Sequence, residues 1–197
     1  VQTCALPICP LPADLLSCAV VGTDVNPRKH KRYLRMAMQL CRSVDNQKQA
    51  WKLTHTSYKD WFQEPGHDFS VDLVEGHRQL AHLSYRAENW VVDSPGGKYL
   101  LRHGVHHAVQ CNEVAQARTG LMFKFKWLLE RAKLGPPHAL VQDGNRLAVY
   151  HTDRAFALLH SALRLMQPGL AKNPLQMAGQ LVGRLMGYED ATVTRFY

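Results

Sequence analysis

Apolar residues recur at helical spacing through most of the chain after residue 72, and this recurrence most constrains the fold. Leu121, Phe125, Leu128 and Ala132 stand at i, i+4, i+7 and i+11, the stripe of an amphipathic helix with one face in a core. Leu73, His77, Leu80 and Ala81 share one helical face, and Leu101, Val105 and Ala108 share another. Between Asp153 and Met166 two adjacent stripes, Phe156/Leu159/Leu163/Met166 and Leu158/Ala162/Leu165, predict a helix buried on most of its circumference. Such helices bury their apolar faces against one another. The predicted fold class is therefore mostly α, a stacked helical-hairpin, solenoid-like arm. No strict internal period marks a named repeat.

Punctuation between the stripes predicts the boundaries. Asp72 and Glu75 have the spacing of a capping box. Ser94-Pro95-Gly96-Gly97 predicts a break, with helix resuming from Lys98 to Gln110. Residues 113–118 and 121–134 form the next helical pair, closed by Gly135-Pro136. Asp143-Gly144-Asn145 predicts a turn. Asn173-Pro174 is an N-cap followed by proline at N1. It opens a helix carrying Leu175, Ala178, Val182 and Leu185 and stopping near Gly187. The tail from Tyr188 to Tyr197 turns β-branched and aromatic, which predicts the start of a strand.

The N-terminal third reads differently. Ala13 to Val21 is a short apolar helix ending at Gly22, and Pro27 opens a basic helix from Arg28 to Cys41. Ser43 to His55 predicts a β-hairpin, with Asp45-Asn46 as turn chemistry and alternation from Ala50 to Thr54. A helix followed by a hairpin is how a winged-helix domain ends. The expected organisation is a partial winged-helix domain over 11–64, a helical arm over 65–187 and a linker over 188–197. Val1 to Ile8 resembles a translated frame of a sequencing adapter, so residues 1–10 are set apart as an artefact.

Composition narrows the function classes. A chain of 197 residues is long enough to bury ~70% of its unfolded surface. Five cysteines form no CxxC pair, and no Asn-x-Ser/Thr sequon occurs, which predicts a reducing, cytoplasmic location. No apolar run approaches the ~18 residues of a spanning helix, so no membrane partner is expected. A net charge of +8 fits either an acidic partner such as nucleic acid or cations scattered over solvated helix faces.

Candidate reactive groups are few. A Walker A loop needs spaced glycines with a lysine and a hydroxyl. Gly97-Lys98 is followed by Tyr99 and lacks the upstream glycine. No Ser-His-Asp or Cys-His spacing supports a nucleophile. His103 and His107 stand at i, i+4 beside His106. A zinc site there lacks an intervening glutamate and an obvious third ligand, and packing or capping accounts for the histidines equally. Arg28, Lys29, Lys31, Arg32 and Arg35 crowd one helix. They would read a DNA groove, form a solvated face, or dock on an acidic neighbouring domain. Trp51, Tyr58, Trp61 and Phe62 make an aromatic cluster that reads as core or as a ligand box.

Three segments resemble the STAND class of signal-transduction NTPases, of NACHT or NB-ARC type. KLTHTSYKDWF, from Lys52 to Phe62, is similar to the family's LHKSFRDFL signature. DFSVD from Asp68, followed by GHRQLA from Gly76 to Ala81, resembles its F-x-V-D…GHRxLA stretch. NPLQMAGQLVGRL, from Asn173 to Leu185, resembles the dPxQLxxQLxGRL helix that leads into a WD-repeat propeller. Between them Tyr99 to His103 with His107 fits YxLRHxxxHL, with Ala108 in place of leucine. Phe125 to Leu128 fits DFxWL, with Lys124 where an acid is common.

These matches follow family order across most of residues 52–187. The resemblance implies the winged-helix end and helical linker region of such a protein, with no enzyme activity of its own. It would link a nucleotide-binding core to a WD-repeat sensor. No cofactor is implied for this stretch, whereas ATP and ADP are implied for the longer protein, with the NTPase site upstream. The implied partners are that core and a C-terminal repeat domain, of WD or ankyrin type, with other proteins recruited through the repeats and nucleic acid not expected. His55 falls where the family places a histidine that touches the β-phosphate of bound ADP; a histidine satisfied inside a hairpin–helix junction accounts for it as well. The alternative is a basic winged-helix module that binds nucleic acid.

Overall fold

In the computed structural model the described residues are 11–12, 15, 41–43, 50–53, 60, 64, 72–150 and 153–194. They are mostly helical. Three short strands precede the helices: β1 (Leu11–Pro12), β2 (Cys41–Ser43) and β3 (Ala50–Leu53), with β3 central and both pairings antiparallel. Cys41, expected as the last residue of a helix, instead begins β2 and faces Leu53. The basic helix and the turn at 45–46 lie outside the described residues.

Helix α1 (Leu73–Tyr85) is capped by Asp72, whose carboxylate accepts from the Glu75 amide at 3.0 Å. Only this half of the expected capping box forms with Asp72; the Glu75 carboxylate pairs with Arg78. Leu80 and Ala81 are buried, and Leu73 and His77 sit at the edge of the buried face. Two side chains close the C-terminal end. Asn89 Nδ2 donates to the Leu83 carbonyl at 2.8 Å, and Trp90 Nε1 donates to that of Ser84 at 2.7 Å.

The Ser-Pro-Gly-Gly segment does not break the chain. It is the first turn of α2 (Pro95–Gln110), with Ser94 Oγ accepting from the Gly97 amide at 2.9 Å and Pro95 at N1. Proline fits there because its missing N–H is one that no helix satisfies. Gly97 is required because a Cβ would stand 2.1 Å from the Val91 carbonyl oxygen. Gly104 lets α2 close on α1, since a Cβ would meet Ser84 Cβ and Oγ at 2.7 Å. Leu101, Val105 and Ala108 are buried as the spacing predicts. Asn112, with φ 61°, turns the chain out of α2, a conformation asparagine tolerates better than most residues.

The expected helix over 121–134 is interrupted. Helix α3 (Val114–Ala117) widens into a π turn over Arg118–Met122, and α4 starts only at Phe125 and runs to Lys133. The break still keeps Leu121, Leu128 and Ala132 in the core, and it inserts Trp127 between them, fully buried.

Helix α5 (Pro137–Ala148) contains the Asp143-Gly144-Asn145 segment that turn chemistry had assigned to a loop. Helix α6 (Arg154–Lys172) is capped by Asp153, which accepts from the Phe156 amide at 2.7 Å. Pro168 sits inside it. The carbonyl that Pro168 cannot serve, that of Arg164, accepts instead from Gln167 Nε2 at 3.2 Å. Phe156, Leu159, Leu163 and Met166 are buried, but Leu165 is 65% exposed, so the second stripe does not complete an all-round burial.

Asn173 accepts from the Leu175 amide and starts a 3₁₀ turn (Pro174–Gln176) that leads into α7 (Met177–Leu185). The buried face of α7 is Met177, Leu181 and Leu185. Of the apolar residues expected on this helix, Leu185 is buried, whereas Leu175 and Val182 are exposed. Gly187, with φ 99°, ends the helix. The tail corrects another expectation: Ala191–Thr194 is a helical turn, α8, with Asp190 Oδ1 accepting from the Thr192 and Val193 amides. One continuous apolar core runs from Ala81 through Trp127 and Phe156 to Val193. Among the described residues no helix is long and apolar enough to cross a membrane.

Candidate functional site

The densest group of titratable side chains lies where α1 crosses α2. His77 on α1 packs against His106 and His107 on α2, with His103 and Tyr99 one and two helical turns before His107. The helices bring them together because 99, 103 and 107 share one face of α2 at i, i+4, i+8. His107 is at the centre and is 2% exposed. Its Nδ1 lies 2.7 Å from His77 Nδ1, and its Nε2 lies 3.0 Å from the Tyr99 hydroxyl. His103 tilts against Tyr99 with ring centroids 4.6 Å apart, and His106 lies edge-on to His77 at 5.7 Å.

Electrostatics keep this group neutral. Burial, more than the neighbouring His77, His106 and His103, lowers His107 to about 2. Burial first and His106 second lower His77 to about 4. His103 also falls to about 4, by burial and then by His106, Arg131 and the other cations around it. His106 is lowered by burial and by Arg146. At neutral pH the chain Tyr99–His107–His77 is thus a run of uncharged hydrogen bonds, which in a buried setting holds the two helices in one register.

This arrangement does not suit a metal. Both ring nitrogens of His107 are already engaged, one by His77 and one by Tyr99, so ligation would cost one of those bonds. Among the described residues no group of three or more His, Cys, Asp or Glu is placed to hold a metal ion. The i, i+4 spacing of His103 and His107 serves packing between helices here.

Two further polar centres flank it. Glu113, leading into α3, receives His82 Nε2 at 3.0 Å, the Tyr85 hydroxyl at 3.3 Å and Arg78 Nε at 3.5 Å, all from α1. Cys111 is buried beside it, and burial followed by Glu113 pushes its thiol up, away from the reactive thiolate. The second centre is Asp143, 1% exposed, bonded to Arg131 Nε of α4 at 2.9 Å and to Arg146 at 3.3 Å. Burial pushes its carboxyl up to about 6 against the pull of both arginines. It ties α4 to α5.

His55 and the cations Arg28, Lys29, Lys31, Arg32 and Arg35 are outside the described residues, as are Tyr58, Trp61 and Phe62; Trp51 contributes backbone to β3. The sequence reading singled out the α2 histidines but not their partner His77, although His77 stood on the predicted inner stripe of α1. Asp143 was missed altogether, because Asp-Gly-Asn carries the strongest turn chemistry in the chain.

No protein-family model, no curated protein and no solved structure matches this chain.

Proposed function

We propose that the chain is the helical arm of a STAND-class NTPase, preceded by the end of a winged-helix domain with its β-hairpin. It holds a WD-repeat sensor against a nucleotide-binding core and passes on the nucleotide state without catalysis of its own. One observation supports this reading above the others: many of the described residues that carry the resemblance are packing residues. Leu80 and Ala81 of the Gly76–Ala81 segment, Tyr99, Leu101 and His107 of α2, Trp127 and Leu128 of α4, and Met177, Leu181 and Leu185 of α7 are all buried. A signature retained for architecture has this character, whereas one retained for chemistry leaves reactive groups open to a substrate.

In this reading His55 is a phosphate contact for ADP bound in the core. A hydrogen bond to a charged group contributes roughly 1.5–3 kcal/mol, and driving a two-state switch from 1:99 to 99:1 takes about 5.5 kcal/mol. His55 therefore biases the closed state, and further contacts from the core complete it. The arm transmits the change because its helices share one core.

Reading the transcript on both sides of residues 11–197 tests the proposal. A phosphate-binding loop encoded upstream and β-propeller repeats encoded downstream are expected. A transcript with neither contradicts the assignment. A gel shift by the chain that collapses steeply with salt would select the nucleic-acid-binding alternative instead.

A further inference from the structure

We draw no further inference here: the strongest candidate, the cluster of His77, His103, His106 and His107 with Tyr99 where α1 crosses α2, belongs to the site already described, and nothing in the structure shows a ligand or partner that it would meet.

Discussion

Asp143 shows how much one buried side chain decides. It holds Arg131 and Arg146 in place of a solvent shell, and removing one partner of such a pair leaves a charge with no water to stabilise it. Arg131→Met is expected to cost about 3–5 kcal/mol in urea denaturation, and adding Asp143→Leu is expected to recover much of that loss. If the double variant is no more stable than Arg131→Met alone, the cost does not come from the orphaned carboxylate. Gly104 is the steric counterpart. A valine there would drive into Ser84 at the α1–α2 crossing, and the expected loss is about 1–3 kcal/mol, read from the same denaturation curves.

The histidines give a pH dependence of defined sign. In the folded chain His77 and His103 titrate at about 4 and His107 at about 2, against about 6.5 when unfolded. Below 6.5 the unfolded chain binds more protons, so their contribution is present above pH 6.5 and is lost as pH falls toward 4. Asp143 acts oppositely. Its raised value makes the folded state bind more protons between about 4 and 6, so its contribution declines as pH rises through that window. The three histidines outnumber the one carboxyl, and the urea midpoint is expected to drop from pH 7 to pH 5. Imidazole resonances of His77, His103 or His107 that titrate near pH 6.5 in the folded protein would contradict this.

At the level of elements, the N-cap of α6 joins two parts of the chain. Asp153 caps the helix and also pairs with Arg118 in the π turn. Asp153→Ala is expected to lower stability by about 1–2 kcal/mol, with a fall in melting temperature that Asp153→Asn restores in part by keeping the cap. Equal losses for the two substitutions would place the effect in the ion pair instead. Other caps were legible in the sequence: Asp72 and Asn173 sit where residue type alone predicts. So were the apolar stripe of α2 and the Phe156/Leu159/Leu163/Met166 stripe of α6. What local chemistry hid were the places where tertiary contacts prevail. Asp143-Gly144-Asn145 is helical because Asp143 has an arginine partner on α4 and Gly144 leaves room for the His160 ring, which would stand 2.5 Å from a Cβ. The spacing also left open which face of α7 meets the core. Both of its sides are apolar, and periodicity does not say which of two apolar sides meets the core. The π turn at Arg118–Met122 has no signature of its own, and one unbroken stripe conceals it.

For the molecule as a whole, the α1–α2 histidine group, the Glu113 centre and the Asp143 pair are all joints between helices. Each links one helix to a neighbouring element, and all surround one apolar core. A unit so joined is expected to open as one body, which the proposed role as a regulatory arm requires. Native-state hydrogen exchange on the 197-residue chain, with and without ADP or ATP, tests that claim most directly. The account predicts that protected amides of α1, α2, α4, α6 and α7 open together with a single free energy, and that neither nucleotide alters it. Helices that exchange as independent units, or nucleotide-dependent protection within residues 72–194, would contradict it.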